Sequence, residues 1–303
     1  MNNIESPDRR LFLRNLSLTA GALITTSSWA EAIIKKGDVK IGYSAITWGG
    51  KDLQAMADLA SLGFKGIQLR ANTFGPYRNK VSELKEALIK HNLKLPMFSS
   101  GNVEVDPAKF QSTVDTHVAH ASFVKALGGT AFQMTNSLRQ KGTPPTTEEL
   151  KNLTRVMNEI GKQTADMGVQ AVYHNHMNQW GETPEEVDVI VQAMDPRYLK
   201  LLLDIAHYKQ GGGEPQDAVI KYKDIIHALH LKDTKPKDGG GYKFVELGQG
   251  RVDVPAVFAA LAKVKFKGWG VIELDGVPDP EKSPLICAEI NKKYITEVLK
   301  YPV

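Results

Sequence analysis

The stretch Gln170-Ala-Val-Tyr-His-Asn-His176 decides how this chain is read. It is a short apolar run that ends in two histidines and turns into Met177-Asn-Gln-Trp-Gly-Glu182. Residues two apart in a strand share a face, so His174 and His176 point together at the C-terminal end of that strand. Three later stretches repeat the design. Leu201-Leu-Leu-Asp204 is an apolar run closed by a carboxylate, with His207 just beyond. Ile226-His-Ala-Leu-His-Leu-Lys232 places His230 and Lys232 on one face, and Gly270-Val-Ile-Glu-Leu-Asp275 does the same for Glu273 and Asp275. One buried histidine is ordinarily an adaptable polar group of a core. Four consecutive strands that carry His174, Asp204, His230 and Glu273 at the same end point instead to a metal site.

Outward from this stretch the pattern alternates. Val39–Ser44, Gly66–Arg70, Leu93–Phe98 and Ala131–Thr135 read as strands. Helical segments Leu53–Leu62, Val81–His91, Pro107–Leu127 and Thr147–Met167 lie between and after them. Gly63 and Gly168 are placed to close the first and fourth of these helices. Beyond His176, a helix from Pro184 has Thr183 as its N-cap and Glu185 and Glu186 in its first turn. Helices are also expected over 215–222, 254–264 and 283–299. Eight strand–helix units in succession predict an α/β chain folded as a single-domain (β/α)₈ TIM barrel, a fold of about 250 residues. An open doubly wound sheet is the competitor, but no G-x-G-x-x-G follows the first strand to support a dinucleotide-binding version. The longer connections, 136–146, 175–183, 207–214 and 232–253, all follow strands, which is the working face of a barrel.

Residues 1–32 stand apart from residues 33–303. Asp8-Arg-Arg-Leu-Phe-Leu-Arg14 precedes the apolar Leu16–Ile24, and Ala30-Glu-Ala32 supplies small residues where a signal peptidase reads. The paired arginines resemble a twin-arginine signal and predict an exported, periplasmic protein. The apolar run is too short to span a bilayer, so no membrane insertion of the mature form is expected. In the 303 residues, 42% are hydrophobic, 24% are charged and the formal net charge is +4, a weak and scattered excess that marks no nucleic-acid partner. The single cysteine, Cys287, excludes an internal disulfide and a cysteine zinc knuckle. The composition is compatible with a homo-oligomer.

His174-Asn-His176, Asp204-Ile-Ala-His207, His230-Leu-Lys-Asp233, Leu247–Asp253 and Ile272-Glu-Leu-Asp275 together resemble the xylose isomerase-like barrels of the sugar isomerase/epimerase superfamily, over about residues 39–300. The resemblance implies one divalent ion at the barrel mouth, held by Glu, Asp, His and Glu from successive strands. Asp204, His230 and Glu273 match the last three, and His174 falls where many relatives have glutamate. A neutral imidazole there leaves the ion more positive and favours a borderline cation such as Mn²⁺, Zn²⁺ or Co²⁺. The sequence leaves His176 open as the ligand in place of His174; otherwise His176 faces the substrate.

The implied activity is isomerisation or epimerisation of an unphosphorylated keto-sugar or glycoside through an enediolate. Glu273 would serve as ligand and base, and His207 would lie beside the substrate. Lys232 and Gln68 are candidate substrate contacts, with Arg70 on the same face as Gln68. Trp48 and Trp180, after the first and fifth strands, are candidates for an apolar wall against a sugar ring. His117 and His120 read as surface or packing residues, and His227 is out of phase with His230. Two other readings stand beside this one. One is a lyase eliminating a group β to a ketone, made serious by the missing glutamate; the other is a carbohydrate-binding barrel with a degenerate site. An apurinic-site endonuclease would need a three-zinc ligand set that the first four strands do not supply.

Overall fold

The computed structural model describes residues 38–139 and 142–303. The export signal expected over residues 1–32 lies outside them. Eight parallel strands close into a barrel: β1 (Asp38–Ser44), β2 (Gly66–Arg70), β3 (Lys94–Asn102), β4 (Ala131–Thr135), β5 (Gln170–His174), β6 (Leu199–Asp204), β7 (Ile226–Leu231) and the last strand, Lys267–Ile272, which pairs with both β7 and β1. Two further strands, β8 (Asp233–Pro236) and β9 (Tyr242–Val245), form an antiparallel hairpin directly after β7, so the last barrel strand is β10.

The helices form where the sequence supplies a start and an apolar face. They are α1 (Asp52–Ser61), α2 (Ala71–Tyr77), α3 (Val81–Lys90), α4 (Phe110–Ala126), α5 (Thr147–Ala165), α6 (Pro184–Ala193), α7 (Ile205–Gln210), α8 (Pro215–Lys221), α9 (Val254–Lys263) and α10 (Pro284–Lys293). Thr146 and Glu149 make a reciprocal capping box at the start of α5. Thr183, Asp253 and Ser283 cap α6, α9 and α10 through their side-chain oxygens, each with proline at the first or second helical position. Such caps contribute about 1 kcal/mol each.

Several segments differ from the sequence reading. The glycine-rich connection after β7 is the β8–β9 hairpin, and 71–77 and 205–210 are short helices. Strand β3 runs on to Asn102, and its register against β2 shifts between Gly66 and Gln68, opposite Leu95 and Pro96. A bulge there accommodates a proline that has no N–H to give to the ladder. The C-terminal helix ends at Lys293 and passes into a π-helical turn, Tyr294–Val298.

Strand parity separates two interiors. Met97, Ala131, Val172, Leu202 and Ala228 form a small apolar cluster inside the barrel, while the large core lies between sheet and helices. One step further along the same strand faces come Ser99, Gln133, His174, Asp204 and His230. The barrel is therefore plugged by hydrocarbon below and lined with polar groups above.

Candidate metal centre

The polar layer converges on four side chains. One ligand atom from each of His174, Asp204, His230 and Glu273 lies within 4.8 Å of all the others, and all four residues are buried. Asp204 and His230 are register partners on β6 and β7, and the Glu273 amide donates to the Leu231 carbonyl at 3.0 Å, so three of the four candidate ligands sit at one level of the sheet. Asn175 fixes the fourth edge. Its amide accepts from the Asp204 N–H at 2.9 Å and donates to the Asp204 carbonyl at 3.2 Å, continuing the β5–β6 ladder past His174. Asp204 also begins α7: its Oδ1 accepts from the N–H groups of Ala206 and His207 at 2.9 and 2.8 Å. That leaves Oδ2 turned inward.

Inside this ring, Asp204 Oδ2, His174 Nε2 and His230 Nδ1 are buried without a hydrogen-bond partner. Both imidazole nitrogens stand 3.5 Å from Asp204 Oδ2, and His230 Nδ1 is 3.1 Å from Glu273 Oε2. Buried polar atoms are rarely left unpaired, so three converging on one point fit a cation. Two imidazoles and two carboxylates are a donor set suited to one divalent ion. Gln68 orients two of the candidate ligands: its amide oxygen lies 2.9 Å from His230 Nε2, and its amide nitrogen donates to Glu273 Oε1 at 3.4 Å. Accepting the Nε2 proton of His230 makes Nδ1 the nitrogen that would give its lone pair to a cation at the centre.

The electrostatics follow from burial and charge. Burial lowers His174 to about 4, with the charge of Asp204 working against it. Burial would lower His230 as well, but Glu273 and Asp204 outweigh it and raise it to about 9. Burial pushes Glu273 and Asp204 upward. For Glu273, His230 and Lys232 prevail; for Asp204, the imidazoles around it, His207 first, and Lys232 do, and both carboxyls are held well below their usual range. Excess negative charge in this pocket therefore recruits positive charge, which is the role a metal ion fills.

Beside the centre lies a second group. The buried Lys232 Nζ donates to Asp275 Oδ1 at 2.7 Å and Glu273 Oε2 at 3.1 Å, and stands 3.3 Å from His207 Nε2. Burial alone would lower this ammonium, but Asp275, Glu273 and Asp204 hold it above its ordinary value. His207 is kept neutral, chiefly by burial, with Lys232 acting in the same direction. Phe244, on β9, covers both: its ring centroid is 4.2 Å from Lys232 Nζ and 5.3 Å from the His207 ring. The ring of His176 packs on His207 at 3.9 Å, and its Nδ1 lies 2.7 Å from the Met177 carbonyl oxygen. His174, not His176, is in the four-residue cluster.

The two tryptophans lie elsewhere. Trp48 is buried under the turn after β1, its indole N–H donating to Asp58 Oδ2 at 2.8 Å and its ring edge-on to Tyr43. Trp180 lines a cleft of about 420 Å³ among the loops after β3, β4 and β5, together with Asn102, Glu104, Leu138 and Glu149. His117 and His120, expected at the surface or in packing, are both buried. Each places Nδ1 within 2.8 Å of the Ser100 hydroxyl. Gln133, Asn175 and Phe244 are the residues of this region that sequence reasoning did not select. Strand parity alone would turn Asn175 outward between the two histidines, and its bonds to the Asp204 backbone arise only because the strand ends at His174, so the sequence carried no signal for it.

The family model of the xylose isomerase-like TIM barrel matches residues 56–288. An inosose dehydratase of Clostridium botulinum (strain Alaska E43 / Type E3) is 28% identical over 295 residues, covering 86% of this chain and 97% of that protein. The inosose dehydratase of Clostridium tetani (strain Massachusetts / E88) is 27% identical over 302 residues, covering 88% and 99%. Among solved structures, the IolI protein with a bound zinc atom superposes with a TM-score of 0.74 at 17% identity, covering 86% of this chain and 98% of that one, a likeness of fold. With the closed barrel and its buried two-histidine, two-carboxylate centre in place, the chain belongs to the xylose isomerase-like TIM barrel family.

Proposed function

We propose that the protein is a metal-dependent lyase that removes water from an unphosphorylated keto-sugar or keto-cyclitol, breaking the C–O bond β to the ketone. The carrying observation is the asymmetry of the centre: Glu273 is its only glutamate, and the Lys232–His207 pair stands against that residue. Epimerisation takes a proton from one face of a carbon and returns it on the other, which calls for two bases in opposition. His174 stands where the second would be, and as a ligand its lone pair is committed. Elimination needs one base and one acid, which this arrangement supplies. The dehydratase names of relatives that align with 86% or more of the chain support the same reading.

His174, Asp204, His230 and Glu273 would hold a divalent ion, and such an ion would supply positive charge to stabilise the negative charge that develops on the ketone oxygen as the adjacent proton leaves. Glu273 takes that proton from the α carbon. The C=C bond forms as the β C–O bond breaks, and Lys232, through His207, delivers a proton to the departing hydroxyl so that it leaves as water. Because Lys232 is bonded to Glu273, the captured proton can return to the donor and close the cycle. Phe244 shields the pair from solvent.

Lack of a phosphate in the substrate is supported by the loop after β10, where Asp275, Pro278, Asp279 and Pro280 offer acids and prolines in place of backbone donors. Export through the twin-arginine route belongs to the same proposal, and changing Arg9 and Arg10 to lysine should hold the protein in the cytoplasm. The decisive experiment incubates the metal-loaded protein with an inosose and with unphosphorylated 3-keto-sugars, reading products by mass and NMR. Loss of one water per turnover supports the lyase. A product of unchanged mass and inverted configuration refutes it and restores the epimerase reading.

A further inference from the structure

We infer that the side-chain amide of Gln133 decides which nitrogen of His174 carries the proton, and thereby whether that ring can ligate a cation. The inference rests on the metal centre proposed above. Gln133 lies on β4, buried, in register with Ser99 of β3 on one side and Val172 of β5 on the other. Its amide nitrogen is 3.3 Å from Ser99 Oγ and 3.4 Å from His174 Nδ1. Its amide oxygen is buried without a partner, and so is His174 Nε2.

These two unpaired atoms belong to one problem. With the amide nitrogen donating to Nδ1, the ring proton must sit on Nε2, which faces Asp204 Oδ2 at 3.5 Å. A ring in that form presents an N–H to the centre and has no lone pair to give. A half-turn of the amide brings its oxygen to Nδ1, where it accepts an Nδ1 proton, and Nε2 then faces the centre with a free lone pair. The half-turn exchanges groups of nearly equal size and leaves the backbone of β4 in place. It satisfies the orphaned amide oxygen and frees the orphaned Nε2 for a metal in one movement.

Gln68 shows why Gln133 is the adjustable member. The Gln68 oxygen already faces His230 Nε2, and its nitrogen is bonded to Glu273 Oε1, so both ends are engaged and the orientation is fixed. Gln133 has no second charged ligand to hold its other end. As its amide is placed, Gln133 therefore holds His174 in a non-ligating form, whereas Gln68 already accepts the Nε2 proton of His230. A glutamine at 133 can serve both states, a glutamate only the ligating state, and a leucine neither. Gln133 is a positioning residue: it acts through His174 and touches neither ion nor substrate in this scheme.

The test uses full-length purified protein and Zn²⁺, with affinity read by competition against a chromophoric chelator. Gln133→Leu should bind Zn²⁺ about ten- to a hundredfold more weakly, the usual effect of removing such a partner. Gln133→Glu should bind at least as tightly as the unaltered protein. Nitrogen-15 NMR of the histidine rings, with His174 assigned by difference from His174→Gln, reads the tautomer directly. The proton should be on Nε2 without Zn²⁺ and on Nδ1 with it. A Gln133→Leu protein that equals a Zn²⁺-binding parent, or His174 carrying its proton on Nδ1 in the metal-free protein, overturns the inference alone. A parent that takes up no Zn²⁺ at micromolar concentration overturns the metal-dependent reading and this inference together. Should Gln133→Leu fail to fold, Gln133→Glu and the tautomer measurement on the parent still decide it.

Discussion

The ammonium of Lys232 lies 3.1 Å from Glu273 Oε2, the same carboxylate oxygen that faces His230 Nδ1 at 3.1 Å. A candidate metal ligand thus shares its charge with a permanent cation, and Lys232 also stands 4.0 Å from Asp204 Oδ2. The lysine should therefore help chemistry and oppose metal binding. Lys232→Met is expected to lower kcat by about 10²–10⁴-fold, the range for loss of a general acid. The same variant should bind Zn²⁺ more tightly than the parent, because one positive charge beside two ligand carboxylates is gone. Weaker Zn²⁺ binding by a folded Lys232→Met protein would refute the antagonism.

Asp204 separates ligation from folding at one residue. Oδ1 caps α7 through two backbone N–H groups, while Oδ2 is turned to the centre. Asp204→Asn keeps an oxygen for the cap and removes the charge. The expected outcome is a folded protein whose melting temperature no longer rises with added Zn²⁺. The parent should gain about 2.7 kcal/mol at a free ion concentration of 100 times Kd. A calorimetric scan of both proteins with and without the ion checks this, and an undiminished Zn²⁺-dependent shift in the variant would remove Asp204 from the ligand set.

How far the sequence revealed these features depended on whether a feature was local. The barrel was legible because strand parity and the long connections after strands are written in single segments, and the strand ends bearing His174, Asp204, His230 and Glu273 could be read one at a time. Gln133 was not legible: a neutral amide within Ala131-Phe-Gln-Met-Thr135 has no chemical signature, and its role arises only because β4 lies beside β5. The Trp48 indole turned away from the centre because its partner, Asp58, comes from α1, a contact that the geometry of the turn after β1 decides. The β8–β9 hairpin read as a loop because its strands are four residues each and its tip is Gly239, Gly240 and Gly241, all at positive φ. What holds it is an interaction across the connection.

That interaction gives a third prediction. The buried Asp233 carboxylate accepts four backbone N–H groups, from Thr234 and Val252 on Oδ1 and from Gly248 and Gly250 on Oδ2, at 2.8 to 3.1 Å. Asp233→Ala would leave these donors without their acceptor and should cost about 2–6 kcal/mol, since the bonds from Thr234 and Val252 are fully buried and an unpaired buried donor costs about 1–3 kcal/mol. Gly250→Ala should act through the same point, because a Cβ there would lie 2.2 Å from Asp233 Oδ1 and 2.5 Å from the Thr234 carbonyl oxygen. Both variants should loosen the hairpin that carries Phe244 over Lys232, increasing amide exchange in β8 and β9. Parental exchange rates in that hairpin with either variant would show that the carboxylate does not hold it.

The last prediction concerns pH and the side of the barrel away from the metal. His117, on α4, is buried with Nδ1 2.6 Å from Ser100 Oγ and Nε2 3.3 Å from the Asn102 carbonyl oxygen, stacks on Phe132, and has His120 as its titratable neighbour. Burial, reinforced by His120, lowers it from 6.5 to about 4. The folded state therefore resists a proton that the unfolded state accepts. Above pH 6.5 neither state is protonated there and the contribution to stability is fully present. As pH falls from 6.5 towards 4, the unfolded chain binds the proton first, and stability declines at up to about 1.4 kcal/mol per pH unit for this one group. Below that window both states are protonated and the loss levels off. His174 is lowered in the same direction, so the parent's slope alone does not isolate His117. The difference between the parent and His117→Gln does: urea unfolding at pH 7, 6 and 5 (conditions spanning that window) should show a stability gap that narrows as the pH falls. A gap independent of pH would mean that His117 enters the folded core already able to carry its charge.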